Sequence, residues 1–498
     1  MTTKLLWIAA VGILAGTVVN AQTTPQKVVT DAATALGGKE RILSVKTLVV
    51  EASGIQPWVG QNPEPDGPLT NWNVPEYRYV VDLANGRMRI EQHRVAAFKY
   101  AGVSDARQIL ALDGDIAFNI ETASNSGASE GRSSARITRI GGNAVRERRI
   151  DMIDNPIELV RTALDSRSKL SHVRDSGGNT LLDLVTPAQD TFTIGFDKKT
   201  GLPAFASWLT SSDNLGDVVR KTEFLEYESV SGIALPRRYL TKIDFRDWVA
   251  QDIRVAKNIL DGPVGELAAP AAIRGAMPET LQVRVDVVPV AKGIWWLQGS
   301  GNHFSTLIEF TDHLTLFEAP NSEARTKAVI DKARSIVPMK PLTEVVVSHH
   351  HFDHTGGLRT AVAEGLTVIS NQANERFFRE VTARKATLRP DLLAKSSKTL
   401  KFRGFDDQLE LKDSMNDLIL YHVKGVVHAP YIIMGWLPRE KFLLQGDLID
   451  VSWTQHPWAD VYAQNLQARN ISFVKDLPVH GRIATREEEL AAVAKTKR

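Results

Sequence analysis

Residues 345–357 read VVVSHHHFDHTGG, and this stretch decides the fold of the chain. Three β-branched residues run directly into a cluster of metal-ligand side chains, and two glycines follow at once. His349 and His351 alternate, so in an extended segment both side chains face the same way. Asp353 and His354 are adjacent, so their side chains diverge and can serve a second ion. The stretch therefore predicts a buried strand that ends in the core of a two-metal site.

Composition narrows the class of protein. A chain of 498 residues suggests two to four domains, and its 43% hydrophobic and 24% charged residues are typical of a globular protein. The net charge of +2 gives no indication of a nucleic-acid or membrane-surface partner. The partner that we expect is a small-molecule substrate, because of the metal site that the motif predicts. Cysteine is absent from the sequence, which excludes disulfides and thiolate ligands and leaves His, Asp and Glu to bind metal.

Residues 1–21 have the pattern of a secretory signal peptide. Lys4 precedes an apolar run from Leu5 to Val19, and small residues at Val19 and Ala21 predict cleavage before Gln22. The run is shorter than the roughly 20 residues that a membrane-spanning helix needs. We therefore expect an exported protein, periplasmic or secreted, without a stable membrane anchor after cleavage.

Residues 22–262 predict an antiparallel β domain with helices. Alternating apolar and polar residues recur along this part, and Asn85-Gly86 marks a tight hairpin between two such runs. Helical patterns cover 25–45 and the neighbourhood of 156–163. Residues 124–134 are rich in Ser and Gly, which predicts a mobile loop.

Residues 263–281 are rich in Pro, Ala and Gly and predict a linker before a second domain at 282–498. That second domain mixes strands with helices, which favours layered α and β units and an α+β protein overall. Asn321 is the predicted N-cap of a helix that runs to about Ile336, and another helix is predicted near 463–473.

Further ligand types stand at strand ends. Ten of the twelve histidines follow residue 300. His428, Asp447 and His480 each come after an apolar run, beside a glycine that lets the backbone turn tightly. Three strand ends that converge on the first motif predict a metal site at one edge of a sheet.

From about Val283 onward the sequence resembles the metallo-β-lactamase-fold hydrolases. The resemblance rests on the H-x-H-x-D-H series at 349–354 and on the later strand-end ligands. It implies a four-layer αβ/βα sandwich and an ordered ligand set: His349, His351 and His428 for a first metal, Asp353, His354 and His480 for a second, and Asp447 as the bridge. Asp447 resembles glyoxalase II and lactonase-like members, whereas β-lactamases commonly have Cys or Ser there.

Two departures from the family pattern concern residues beside the ligands. Ala429-Pro430 follows His428 where the family usually has a small hydroxyl residue, and Glu318-Ala319-Pro320 stands where Asp-x-Gly is common. Neither touches the implied ligand set. Both weaken any exact analogy of substrate.

The resemblance and the ligand types imply a dinuclear zinc hydrolase. Imidazole and carboxylate ligands suit Zn²⁺, with iron or manganese as alternative ions. A metal-bridged hydroxide would attack an ester, thioester, lactone or amide, and Asp353 would act as the catalytic residue that orients it or relays its proton. One alternative is an iron-dependent oxidoreductase similar to persulfide dioxygenases. Another is a periplasmic binding or carrier protein with a structural metal site.

Residues near the ligands carry weaker hypotheses. A loop after Asp447 has four candidates for a substrate-pocket wall, with core packing as the default interpretation: Trp453, His456, Trp458 and Tyr462. The His350 side chain points away from those of His349 and His351, so we expect it to pack beside the site. Asn302-His303 could reach the site from a hairpin, but a capping or surface role is favoured.

The N-terminal half resembles, more loosely, the half-barrel of periplasmic lipoprotein-carrier proteins. Turn motifs at 35–38, 196–203 and 231–236 carry this resemblance. It implies a cup for an apolar ligand or a protein partner. A structural domain with a filled core is the favoured alternative.

Overall fold

The computed structural model describes residues 24–98, 105–123, 136–279, 283–299 and 301–496. The predicted signal peptide and the Ser/Gly-rich loop at 124–134 lie outside the described residues. None of the helices in the described ranges combines the length and apolar character that crossing a membrane requires.

The N-terminal part forms one antiparallel sheet of 13 strands. Its strands are β1 (Thr47–Pro57), β2 (Asn71–Asp82), β3 (Arg87–Ala96), β4 (Asp105–Asp113), β5 (Ile116–Ala123), β6 (Arg136–Ile140), β7 (Lys169–Ser176), β8 (Asn179–Val185), β9 (Thr191–Asp197), β10 (Pro203–Ser212), β11 (Gly216–Val230), β12 (Ile233–Ile243) and β13 (Trp248–Leu260). β1 to β6 form one meander and β7 to β13 another. The two meanders join where β1 pairs with β13.

Four helices cover one face of this sheet. They are α1 (Pro25–Leu36), α2 (Lys39–Ser44), α3 (Ala144–Ile153) and α4 (Pro156–Leu164). Apolar side chains such as Leu36 and Ile157 pack against Val50 and Leu235 of the sheet in one buried cluster. The predicted helix at 25–45 is two helices, because Gly37 and Gly38 have positive φ and interrupt it.

The C-terminal part consists of two stacked sheets. The first contains β14 (Val285–Ala291), β15 (Ile294–Gly299), β16 (Ser305–Glu309), β17 (Leu314–Phe317), β18 (Leu342–Val346), β19 (Thr367–Asn371) and β20 (Lys401–Phe405). The second contains β21 (Gln408–Lys412), β22 (Asp417–His422), β23 (Ile433–Leu437), β24 (Phe442–Gln445), β25 (Lys475–Pro478) and β26 (Ala484–Thr485). Phe317 and Val346 of the first sheet share a core with Leu420 and Leu444 of the second.

A short helix, α5 (Ala271–Arg274), packs on the N-terminal sheet, where Ile273 contacts Ala111 and Phe118. The helices of the sandwich are α6 (Glu323–Ile336), α7 (Phe352–Thr355), α8 (Leu358–Ala363), α9 (Glu375–Ala383), α10 (Ala459–Ala468) and α11 (Arg486–Thr496), with a 3-10 turn at Gln372–Asn374. α6, α8 and α9 bury apolar side chains against the first sheet, and α10 does so against the second. The predicted αβ/βα sandwich and the α+β class are confirmed.

The predicted N-cap of α6 is wrong by one residue. Ser322 is the cap, because its Oγ accepts a hydrogen bond from Arg325 N. Asn321 instead has φ 68°, and its backbone N donates to Asp353 O at 2.6 Å. α10 also begins at Ala459, four residues before the predicted start, and ends at Ala468.

The N-terminal sheet and the sandwich share a buried contact surface. Leu215, Val218 and Trp248 of the sheet belong to the same apolar cluster as the helices on the first sandwich sheet. Arg246 also donates to Asp244 at 2.9 Å and to Glu380 Oε1 of α9 at 2.9 Å. These contacts hold the N-terminal sheet beside the metal-ligand edge of the sandwich.

Asp154 is a half-buried acid that lines a small cavity in the N-terminal domain. Burial raises the pKa of Asp154 to about 7, although Thr222 Oγ1 donates to its Oδ2 at 2.6 Å. Between about pH 4 and 7 the folded state therefore binds one proton that the unfolded chain has released. The free energy of unfolding should fall by up to about 1.4 kcal/mol per pH unit as the pH rises through this window.

Asp154→Asn should flatten this part of the pH profile, as measured by urea denaturation at pH 5, 6, 7 and 8. Asp175→Asn is the control, because this acid lies on the exposed strand β7. An unchanged slope in Asp154→Asn would contradict the prediction.

Candidate metal centre

Seven side chains form two clusters that could each hold a metal ion. His349, His351, His428 and Asp447 form the first, and Asp353, His354, Asp447 and His480 form the second. Within each cluster the ligand atoms lie within 4.8 Å of one another. The structure thus brings together all seven residues that the sequence analysis named, with Asp447 in both clusters.

The ligands meet because they follow strands that end at one edge of the sandwich. The first motif follows β18, which lies between parallel neighbours β17 and β19. Asp447 follows β24, and His480 follows the parallel strand β25. Gly357 allows the motif to pack closely against α6, since a Cβ at this position would lie 1.8 Å from Thr326 Oγ1.

The two oxygens of Asp447 face different clusters. Oδ2 lies 2.8 Å from His428 Nε2 and 3.6 Å from His349 Nε2. Oδ1 lies 3.2 Å from His354 Nε2 and 3.0 Å from His480 Nε2. The Asp447 carboxylate therefore occupies the position of a bridge.

The histidines of the first cluster are prepared for a cation. His349 Nε2 and His351 Nδ1 are buried and have no hydrogen-bond partner among the described residues. Burial lowers the pKa of both rings well below the usual value, so both are neutral. A buried nitrogen that lacks a partner is costly unless it binds something, and neutral imidazole is the form that binds zinc. The residues present fit a metal ion.

The carboxylates of the two clusters remain ionised. Burial would raise the pKa of Asp447, but His354 and His480 beside it hold it well below its usual range. Asp353 is held low in the same way by His354 and His303. Although burial opposes it, Asp447 and Asp353 raise the pKa of His480 to about 10 and that of His354 well above its usual value. The second cluster thus holds two carboxylates that attract positive charge, and a divalent cation would displace the protons of these two rings.

Glu318 forms a layer behind the second cluster. Its Oε2 accepts a hydrogen bond from His354 Nδ1 at 3.0 Å, and its Oε1 accepts from Ser348 N at 2.6 Å. This arrangement leaves His354 Nε2 to face the cluster. Glu318 is fully buried and has φ 81°, a conformation that costs roughly 1–3 kcal/mol and persists where surrounding contacts enforce it.

A loop of the N-terminal domain completes the layer around the ligands. Gln61 Nε2 donates to Asp353 Oδ1 at 2.6 Å, so that Oδ2 faces the histidines. The carbonyl oxygen of Asn62 accepts from His351 Nε2 at 3.0 Å, which leaves His351 Nδ1 as the bare nitrogen. His350 Nε2 lies 2.8 Å from the same oxygen, so His350 packs beside the site.

Residues 299–451 match the family model described as the metallo-beta-lactamase superfamily. This range contains the motif and every ligand except His480. These residues belong to the metallo-β-lactamase superfamily.

Other proteins are similar over shorter or more distant matches. A linear primary-alkylsulfatase from a Pseudomonas species is 33% identical over 75 residues, which are 15% of this chain and 11% of that protein. The match thus spans about a tenth of the relative's length. A metallo-β-lactamase from Pontibacter korlensis is 17% identical over 43% of this chain and 100% of its own, with a TM-score of 0.34. One from Hirschia baltica is 18% identical over 43% and 97%, with a TM-score of 0.33.

A cavity of about 770 Å³ opens between the metallo-β-lactamase domain and the N-terminal sheet. Asp353, His428, Asp447 and His480 line one side of it. Its volume falls within the range of small-molecule sites. The ligand clusters therefore face a space that a substrate could enter.

The predicted pocket residues have different positions. Trp453 lines the cavity. His456 and Tyr462 are buried, the former with Nε2 2.9 Å from Asp450 O and the latter with its hydroxyl 3.4 Å from Glu489. Trp458 is also buried, stacks on the His428 ring at 5.0 Å and donates from Nε1 to Asp447 O. Trp458 therefore supports His428 and Asp447 from behind and does not line the cavity.

Asn302 and His303 reach the site. His303 Nε2 lies 3.4 Å from Asp353 Oδ2, and its ring packs edge-on against His480 at 4.6 Å. Asn302 O accepts from His480 Nδ1 at 2.6 Å. The favoured capping or surface role is therefore wrong for His303, whereas Asn302 is exposed and its Oδ1 accepts from Gly481 N at 2.8 Å.

Glu318→Gln should weaken zinc binding at the second cluster by roughly tenfold to a hundredfold, because a neutral amide holds the His354 ring less firmly. Competition with a chromophoric chelator measures the affinity. Glu344→Gln is the matched control, since Glu344 lies on β18 of the same sheet and accepts from Thr315. Equal affinities in the two variants would contradict the supporting role of Glu318.

Gln61→Ala should weaken the same cluster by up to roughly tenfold, because Asp353 loses the bond that orients its carboxylate. Gln56→Ala is the control: it lies five residues earlier and donates to Gln92, away from the ligands. Zinc affinity by chelator competition reports the difference. Indistinguishable results for the two variants would show that the N-terminal loop does not support the site.

Proposed function

We propose that the protein is a metal-dependent hydrolase with two zinc ions, acting on an ester, thioester, lactone or amide. The observation that carries the proposal is the Asp447 carboxylate, whose two oxygens face two buried ligand clusters beside one large cavity. His349, His351 and His428 would hold one ion, and Asp353, His354 and His480 the other. When bound, such a pair of ions polarises a carbonyl oxygen and lowers the pKa of a water to about 7.

Asp353 has a further role in this proposal. Its Oδ2 lies 3.4 Å from His354 Nε2 and 3.5 Å from His480 Nε2, at the second cluster. The same oxygen lies 3.4 Å from His303 Nε2, and both residues line the cavity. Asp353 can therefore orient the attacking water and pass its proton to His303, as general-base catalysis requires.

The N-terminal domain supports hydrolysis over the carrier alternative. Gln61 and Asn62 contact Asp353 and His351, which a separate binding cup would not need to do. The helices α1 and α4 also fill one face of the sheet with apolar side chains. We therefore assign the N-terminal domain to the same site as the metals.

A substrate panel on the zinc-loaded protein beginning at Gln22 tests the proposal. It contains carboxylic esters, thioesters, lactones and amides, with a linear alkyl sulfate included because a partial relative is a linear primary-alkylsulfatase. We expect turnover of at least one carboxyl-type class and its loss in Asp447→Ala, because both clusters lose their shared ligand. Asp331→Asn, a surface acid paired with Lys327, should keep full activity.

Metal analysis separates the alternatives. About two zinc ions per chain with turnover supports the hydrolase. Stoichiometric iron with oxygen uptake in the presence of a persulfide would overturn it in favour of the dioxygenase. Two zinc ions without turnover of any panel member would favour the binding protein.

A further inference from the structure

The N-terminal sheet builds the wall of the cavity that faces the metal ligands. Trp72 lies on β2, Arg94 on β3, Gln108 on β4 and Glu121 on β5, and all four line the cavity. Strand pairing sets Arg94 opposite Ala106 and Gln108 opposite Glu121. Since alternate residues share a face of a strand, these side chains project from one face of the sheet.

Within the described part of the chain, Arg94 is a cation without an acidic partner. Its guanidinium lies 5.1 Å from the centre of the Trp72 ring, and its buried Nε has no hydrogen-bond partner among the residues that the structure describes. Across the described residues, Arg94 forms neither a hydrogen bond nor an ion pair within 4.0 Å. A buried donor without a partner costs roughly 1–3 kcal/mol, which a bound acceptor would recover.

Neighbouring arginines on the same strands are paired. Arg78 lies 3.1 Å from Glu91, Arg87 lies 2.7 Å from Asp113, and Arg107 lies 2.7 Å from Glu76. The sheet therefore supplies acids to these arginines, including Arg107, which lines the same cavity. Arg94 also lines the cavity, and among the described residues no acid lies within 4.0 Å of it.

Glu121 is the acid that could neutralise Arg94 but does not contact it. The two residues lie two strands apart and are offset by two positions along the strand pairing. Burial lowers the pKa of Arg94 and the charge of Glu121 partly opposes this, but arginine remains protonated at neutral pH because its ordinary pKa is so high. Arg94 therefore keeps its charge, and Glu121 does not occupy its donors.

Aromatic side chains adjoin this cation. The rings of Trp58, Trp72 and Phe98 form a mutual cluster, with centroid distances of 5.8 Å, 5.2 Å and 5.1 Å. Trp58 and Trp72 line the cavity on the N-terminal side, and Trp453 lines it on the metal side. An apolar body would find aromatic contacts between the cation and the ligand clusters.

We propose that the substrate is an organic anion with an apolar body, whose oxyanion group is bound by Arg94 remote from the bond that is cleaved. The guanidinium suits a bidentate bond to a carboxylate or a similar planar oxyanion. The apolar body lies along Trp58 and Trp72, and the scissile group reaches the metal ligands. The orientation of the substrate rests on the proposed hydrolysis, because the scissile group has to face the metal ligands. The oxyanion bound by Arg94 defines the substrate class.

Paired substrates test the assignment on the zinc-loaded protein. The 4-nitrophenyl monoesters of glutaric, adipic and suberic acids carry a remote carboxylate at three spacings, and neutral 4-nitrophenyl alkanoates of equal length lack it. We expect kcat/KM to favour one acid over its neutral counterpart by roughly tenfold or more. Arg94→Gln should abolish this preference and leave the neutral esters unchanged. No preference in the wild type, or an equal loss for both esters, would overturn the proposal.

Three further variants sharpen the result. Arg94→Lys should retain part of the preference, because it keeps the charge but not the bidentate geometry. Glu121→Gln should keep or increase the preference by removing a competing negative charge, whereas its loss would show that the two residues merely form a structural pair. Arg237→Gln is the matched control, since this exposed arginine lies on β12 near Glu228. Sulfonate analogues of the monoesters then tell whether Arg94 accepts oxyanions in general or carboxylates alone.

A binding experiment remains informative if no ester is hydrolysed. Calorimetry with 4-phenylbutyrate on zinc-loaded wild type and Arg94→Gln compares proteins whose metal sites are the same. A loss of roughly tenfold in affinity supports the Arg94 site even if the hydrolase proposal fails. Equal affinities, with equal zinc content and circular dichroism showing that the variant is folded, would overturn it.

Discussion

Both ligand clusters depend on one shared group, the Asp447 carboxylate. Its oxygens lie 2.8 Å from His428 Nε2 and 3.0 Å from His480 Nε2, on opposite sides of one group. Removing it separates the clusters and leaves buried imidazoles without their shared counter-charge, which is expensive in a low-dielectric interior. The position of Asp447 follows from β24, which brings it beside β25 and the first motif.

The ligands are held by a second layer drawn from both domains. Glu318 fixes His354 from within the sandwich, at the cost of a left-handed backbone conformation. Gln61 and the Asn62 carbonyl fix Asp353 and His351 from the N-terminal loop. Gly60 permits this loop to approach, because a Cβ there would lie 2.2 Å from the Phe352 ring. The N-terminal sheet is thus part of the site as well as a neighbouring domain.

Metal ligands and substrate-selecting residues come from different parts of the protein. The sandwich supplies ligands whose chemistry suits many hydrolysable groups, and fold alone does not define a substrate. The facing wall supplies Arg94 and the aromatic cluster, which discriminate by charge and shape. Because that wall also carries Gln61, changes that alter specificity can disturb the metals, and variants must be compared at equal zinc content.

The sequence alone predicted the seven candidate ligands and the sandwich, because most of these residues stand close behind an apolar strand and the pattern is local. It missed the roles of Gln61, Asn62 and Arg94, and it assigned His303 to the surface. Gln61 and Asp353 are 292 positions apart, and no local pattern encodes a contact that arises when two domains dock. The unpaired state of Arg94 likewise depends on strand register, which sets Glu121 too far away to neutralise it. Only the tertiary structure decided those contacts.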